Sequence, residues 1–244
     1  MASIRDHYET LLARHYTAMH GGFEPAVERE AARFEALGVA RTGRALDLGC
    51  GSGFQSVALA RRGLTVTAID LSPTLLEELE THADGLAINT LEGDFLEAAR
   101  LVGPDARPFD LVTCMGDTLP SLASHEDVAR LCREMARLLA PDGVVVLTFR
   151  DLTSAREGLE RFLPVRLNDD LLMTCFLEYE ADAVTVNDLV HVREKDGWQF
   201  AASAYRKLRL APAYVRAALE TADLKVSDER LENGLVTLVA RQTL

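Results

Sequence analysis

The sequence is poor in the residues that build metal and disulfide sites. It has four cysteines, Cys50, Cys114, Cys132 and Cys175, spread so widely that no Cys-x-x-Cys pair exists. Such scattered thiols, two of them in apolar strand-end contexts, predict reduced, buried cysteines of a cytoplasmic protein and no metal centre. Long apolar runs are also missing: no stretch approaches the roughly 18 residues of a membrane span, so no membrane partner is expected. The first residues include Arg5, Asp6 and Glu9 and form no uncharged apolar stretch, so no secretory leader is expected either. Positive charge is scarce. Twenty-six Lys and Arg face 38 Asp and Glu, a net charge of -12, which disfavours nucleic acid as a partner because phosphate backbones need clustered cations. Local basic clusters such as Arg206-Lys207-Leu208-Arg209 read as a solvated strand face. Repeats and low-complexity linkers are absent. A chain of 244 residues with 48% hydrophobic content can therefore bury one sizeable core with a subdomain.

What is present is concentrated at Ala45-Leu46-Asp47-Leu48-Gly49-Cys50-Gly51-Ser52-Gly53. An apolar strand ends beside a carboxylate and breaks into a turn with three glycines. The helix-like run Phe54 to Arg62 follows at once. Glycines here let the backbone approach a ligand, since no Cβ intervenes. The dinucleotide spacing Gly-x-Gly-x-x-Gly does not fit: counted from Gly49 it meets Phe54, and counted from Gly51 it meets Ser56. Asp47 argues the same way, because a carboxylate beside the turn repels a pyrophosphate and attracts a cationic ligand. Two further acids stand near strand ends. Asp70 closes the strand Leu64 to Ile69, about twenty residues past the turn, where doubly wound folds place an acid on ribose hydroxyls. Asp94, followed by Phe95, comes after the short strand Leu86 to Thr90. Ordinary roles are open to each acid alone, a solvated strand end for Asp70 and a helix cap for Asp94. The three together are more specific.

Asp-x-Gly-x-Gly-x-Gly after an apolar strand resembles motif I of the class I S-adenosylmethionine-dependent methyltransferases. The resemblance implies a doubly wound, Rossmann-like α/β fold with seven strands, the last antiparallel, and S-adenosylmethionine as co-substrate without a metal. It implies a cofactor site of Asp47, Gly49, Gly51, Gly53, Asp70, Leu71, Asp94, Phe95 and Met115, with Asp94 reaching the adenine amine and Phe95 packing on the ring. The bare pattern of strands agrees. Strands and helices alternate up to Phe149, which predicts a parallel sheet. Glu126 to Leu139 reads as an amphipathic helix ended by Ala140-Pro141-Asp142-Gly143, and the β-branched run after it suggests a strand buried on both faces.

From Leu163 to Leu210 the pattern changes to period-two strands, with Val184, Val186, Val190 and Val192 on one face and Asn187, Leu189, His191 and Arg193 on the other. Lys195-Asp196-Gly197 is a hairpin signal. The expected division is a helical lid over 1–40, a cofactor-binding domain over 41–162 and 211–244, and an antiparallel insertion over 163–210 that caps the substrate or joins two subunits of a homodimer. Ser3 to Met19 and Phe23 to Leu37 read as two helices, broken by His20-Gly21-Gly22.

For the acceptor, the segments Met115-Gly116-Asp117-Thr118, Phe149-Arg150-Asp151-Leu152 and Leu208-Arg209-Leu210 are most similar to those of glycine N-methyltransferase and its small-molecule relatives. The resemblance gives Arg150 a substrate carboxylate to bind. Asp117 departs from it, since the family has a neutral Asn there; an anion would draw an amine instead, so glycine itself is not carried over. Tyr16 and Tyr205 are expected to line the substrate pocket. His191, His15 and Asp117 are the candidate general bases. The predicted function is methyl transfer to a small molecule at N, O or C. A non-catalytic S-adenosylmethionine-binding protein, an NAD(P)-dependent oxidoreductase and an aminopropyltransferase remain as alternatives.

Overall fold

A strand whose two faces are both apolar must be covered from both sides. The run Val144-Val145-Val146-Leu147 is of this kind, and in the computed structural model, which describes residues 3–242, it lies inside a seven-stranded sheet. The strands are β1 (Gly43–Leu48), β2 (Leu64–Asp70), β3 (Ile88–Glu92), β4 (Phe109–Cys114), β5 (Leu139–Arg150), β10 (Leu224–Glu232) and β11 (Leu235–Gln242). Their order is β10-β11-β5-β4-β1-β2-β3. The pairs among β1 to β5 are parallel, while β11 runs antiparallel to both neighbours, β5 and β10. The expected Rossmann-like fold with an antiparallel last strand is therefore observed.

Helices cover both faces. On one side, α3 (Phe23–Ala36), α4 (Phe54–Arg62) and α5 (Pro73–His82) bury Phe34, Val57, Leu59 and Leu79 against Ala45, Val66 and Ala68. On the other side, α6 (Ala98–Val102), α7 (His125–Leu138) and α8 (Pro212–Thr221) bury Leu131, Met135, Val215 and Leu219 against Leu46, Val112 and Leu147. No helix among the described residues is long and apolar enough to cross a membrane.

Two strands depart from their expected bounds. Ala140 to Gly143 is not a turn between helix and strand. Pairing runs from Phe109 with Leu139 to Leu111 with Val144, so the extra residues bulge out of β5, which is how a strand accommodates Pro141. The third strand sits two residues later than expected, because its register is fixed by β2, with Glu92 level with Asp70.

The second sheet has the order β6-β7-β8-β9, formed by β6 (Phe162–Leu167), β7 (Leu171–Tyr179), β8 (Ala183–Glu194) and β9 (Gly197–Leu208). All its pairs are antiparallel, and the Lys195-Asp196 turn joins the last two. The first helix lies across this sheet. It runs as α1 (Ile4–His7), a π turn over Tyr8–Leu12, and α2 (Ala13–Met19), not as one regular helix. Leu11 and Leu12 pack on Leu171, Met173 and Val190 of the second sheet. The segment over the mouth of the first sheet is thus Ile4–Met19, whereas α3 packs beneath on α4.

Gly53 makes the entry to α4 possible. Its φ is +87°, and an added Cβ would stand 2.8 Å from Cγ of Leu79, which is wholly buried. Gly53→Ala combines a left-handed backbone with a core clash, so it is expected to lower the unfolding free energy by about 2–4 kcal/mol, read as a fall in the urea midpoint with an unchanged slope.

Candidate functional site

A cavity of about 240 Å³ opens at the carboxyl ends of β1 to β4, the position where open α/β sheets hold ligands. Its floor is the turn after β1. The Gly49 and Cys50 N–H groups both donate to the Ile69 carbonyl, at 2.8 and 3.1 Å, which lays the turn against the end of β2. The Gly51 N–H donates to Asp70 Oδ2 at 2.8 Å, and the Ser72 N–H donates to Asp70 Oδ1 at 2.9 Å. Each oxygen keeps acceptor capacity, and Asp70 lines the cavity. Burial pushes its carboxyl above the usual range, opposed by the backbone N–H groups of Ser72, Gly51 and Leu71. Gly51 has φ +54°, and a Cβ there would come within 3.2 Å of the Tyr16 ring. The glycine is what lets this aromatic ring settle on the turn.

The remaining wall is mixed. Asp94 caps the following turn by accepting from the Leu96 N–H at 2.8 Å, and Phe95 packs behind it, 7% exposed. Leu71, Leu75 and Leu122 give apolar surface, with Thr118, Ser121 and Asp127 as polar points. The roof is the first helix, which contributes Ile4, Arg5, Tyr8 and Tyr16.

Of the nine residues expected around a cofactor, Gly49, Gly51, Asp70, Leu71, Asp94 and Phe95 line this cavity. Gly53 and Met115 lie behind the wall, and Asp47 does too. Asp47 is 1% exposed and accepts from Ser56 Oγ at 2.6 Å and Thr113 Oγ1 at 2.9 Å. Its carboxyl is pushed up to about 6, chiefly by burial, against those two hydroxyls and with Asp70 and Glu30 adding repulsion. Its charge stands under the turn, not in the crevice.

On the acceptor side the placement differs more from expectation. Asp117 is not a free anion. Its carboxylate pairs with the Lys207 ammonium, which also donates to the Asp117 carbonyl at 3.1 Å, and Asp117 Oδ1 accepts from the Arg150 N–H at 3.0 Å. Lys207 is only 8% exposed, so the basic run of β9 is not a solvated face: alternate residues of the strand turn inward. Arg150 is exposed, and its guanidinium lies towards the Gly234 turn, 3.9 Å from the place of a Gly234 Cβ. Tyr16 is in the cavity wall, whereas Tyr205 is buried on β9 and stacks on His7 at 4.2 Å. His191 faces Phe200 at 4.8 Å and is outside the cavity. His15 is half-buried on α2, also outside it, and burial together with Arg14 holds its imidazole below the usual range.

Several residues escaped the sequence reading. Tyr8 has no expected role within the Ser3 to Met19 helix, yet it lines the cavity. Asp188 is 1% exposed and forms a buried pair with His7 at 3.0 Å. The signal for it was available: Asp188 interrupts the valine face of β8 between Val186 and Val190.

Comparison with known proteins bears on the same region. Residues 45–143 match the family described as "Methyltransferase domain". The ubiquinone biosynthesis O-methyltransferase of Caulobacter sp. (strain K31) is 36% identical over 156 residues, which is 58% of this chain and 59% of that protein. The enzyme of the same name from Neisseria meningitidis serogroup A / serotype 4A is 32% identical over 136 residues, 52% of this chain and 55% of that protein. The chain thus spans about half the length of the curated relatives it matches. Among solved structures, DesVI of Streptomyces venezuelae superposes with a TM-score of 0.77 at 19% identity, over 95% of this chain and 98% of that one. Structures of the CcbJ methyltransferase of Streptomyces caelestis (TM-score 0.76, 20% identity, 99% and 97% covered) and of SAM-bound CalS10, an amino pentose methyltransferase (0.71, 19%, 94% and 96%), share the fold. The chain shares the fold of these solved methyltransferases, and the segment that matches the methyltransferase-domain family, residues 45–143, carries the glycine turn, Asp70 and Asp94.

Asp47 gives a test of this geometry. Between about pH 4 and about pH 6 the folded chain keeps a proton on Asp47 that the unfolded chain has released, so stability falls as pH rises through that window and stays lower above it. Asp47→Asn removes this dependence. Urea unfolding is expected to show the variant more stable than the parent at pH 7.5 by about 1–3 kcal/mol, and little different at pH 4.

Proposed function

We propose that the chain binds S-adenosylmethionine in this cleft and directs transfer of its methyl group to an O, N or C nucleophile of a small molecule. The observation that carries the reading is the Asp70 carboxylate. Two backbone N–H groups fix it, and its remaining acceptor capacity is available to a vicinal diol in the cavity. Asp94 has a second oxygen for an adenine amine, with Phe95 beside it as a ring-packing surface. A wall carrying Asp70, Asp94 and Asp127 suits a phosphate-free, cationic nucleoside and opposes a pyrophosphate.

When bound, S-adenosylmethionine supplies a methyl group on a sulfonium already activated for displacement. The chain's share is positioning and exclusion of water. Asp70 and Asp94 orient the nucleoside, the glycine turn brings backbone close to it, and the roof of Ile4, Tyr8 and Tyr16 shields it. With Asp117 neutralised by Lys207, the acceptor site has no spare anion at that position, and an amine loses its expected partner there. The relatives are named for an O-methylation in ubiquinone biosynthesis and the structural neighbours for sugar methylation; for this chain the supported class is a small-molecule acceptor. The net charge of -12 supports a reaction away from nucleic acid. Scattered free thiols support a cytoplasmic setting. A homodimer contact through β9 is supported by its edge position and by Trp198 and Phe200, which are 44% and 60% exposed.

Isothermal titration is expected to give micromolar binding of S-adenosylmethionine and S-adenosylhomocysteine, and Asp70→Ala is expected to weaken both by about 10- to 100-fold, the worth of hydrogen bonds to a charged group. The absence of heat with both ligands excludes the reading, and quenching of NADH fluorescence at low micromolar concentration favours an oxidoreductase. Release of S-adenosylhomocysteine with a pool of phenols and amino sugars separates an enzyme from a binding protein.

A further inference from the structure

Three consecutive residues of the roof reach three different places. His7 Nε2 bonds Asp188 Oδ2 of the second sheet at 3.0 Å, both side chains being almost wholly buried. Tyr8 lines the cavity. Glu9 turns to the first sheet's side, where its two oxygens accept from Ser72 Oγ and, at 2.7 Å, from Thr74 Oγ1 at the start of α5. Neighbours on a helix point about 100° apart, so three successive side chains can face three bodies. The π turn begins at Tyr8, and such turns often mark functional sites.

The His7–Asp188 pair is built with care. Asp188 Oδ1 also accepts from Cys175 Sγ at 2.7 Å, which marks Asp188 as the acceptor and makes His7 Nε2 the donor. The imidazole is stacked on Tyr205 at 4.2 Å, and its other nitrogen, Nδ1, is buried without a partner among the described residues. A buried pair of this kind is weak evidence for stability but strong evidence for a fixed geometry, because breaking it leaves an unmatched polar group. Within the sheet the Asp188 carboxylate meets the Cys175 thiol across the strand pair, and the positions on either side of it on that face are Val186 and Val190.

We infer that His7 and Asp188 are positioning residues, which pin the roof helix to the second sheet so that Tyr8 is held over the ligand cleft opposite Glu9. The inference rests on the reading of the cavity as the S-adenosylmethionine site. It makes the second sheet part of the cofactor site's precision, although no residue of that sheet lines the cavity.

The test uses the full chain and S-adenosylhomocysteine as probe. His7→Leu and Asp188→Leu are each expected to weaken binding about tenfold, roughly 1.4 kcal/mol, and the double variant about as much as either single one, the mark of a shared interaction. His7→Gln keeps an N–H donor for Asp188 and is expected to restore near-parental affinity. Hydrogen exchange of Tyr8 to Met19 in the bound state is expected to be faster in the two leucine variants and parental in His7→Gln. Parental affinity and parental exchange in both leucine variants overturn the inference, as does a lowered melting temperature with unchanged affinity, which is a purely structural role. Strictly additive losses overturn it as well. Should either leucine variant fail to fold, the same readouts on Asp188→Asn and Tyr205→Leu decide. A parent chain that does not bind the probe defeats the cofactor reading itself, and the positioning role with it, and is distinguishable from the other outcomes by the parental titration alone.

Discussion

The contact between the turn after β1 and the end of β2 governs the cleft. Three N–H groups in succession, those of Gly49, Cys50 and Gly51, point at Ile69 and Asp70. This is possible only because two of the three residues are glycines with positive φ. The turn then cannot drift from the second strand, and Asp70 is held by groups on both sides before any ligand arrives. A carboxylate that is pre-oriented loses little freedom on binding, which is the physical advantage of a preformed site. Everything stacked on the turn inherits its position: Tyr16 rests on Gly51, and Phe54 is stacked beneath Tyr16 at 5.7 Å.

The half of the cleft beside the glycine turn was legible because its contacts are local. A strand, a glycine turn and a helix are contiguous in the chain, and the next acids follow at strand ends. Position along the sequence therefore translates directly into position in the cleft. Asp47 is the exception, and its displacement has a simple cause: β1 continues to Leu48, so Asp47 points into the sheet, onto Ser56 and Thr113, before the turn begins. The fold was legible for the same reason, since its strands and helices alternate along the chain up to β5.

The acceptor half was less legible because its contacts are long-range. Asp117 looked like a free anion, and its partner lies ninety residues away on β9. His7 and Asp188 are 181 residues apart. A basic strand and a helix describe Lys207 and Tyr8 correctly as local patterns, yet which side of each turns inward is decided by how the second sheet folds back. The one local clue was an acid within a valine face. Buried acids carry a stability cost, so their presence on an apolar face points to a task other than holding the core together. Asp47 and Asp188 fit that description.

The reversal of β11 has a practical meaning for the shape of the molecule. Because it runs against β5, with Leu235 beside Arg150 and Arg241 beside Val144, Arg241 stands at the rim of the sheet opposite the cleft, while the first helix forms the roof. The two rims are therefore unequal as points of attachment. A fluorescent label carried at Arg241 hangs from the base of the sheet, whereas the same label carried on the roof helix rides over the cleft.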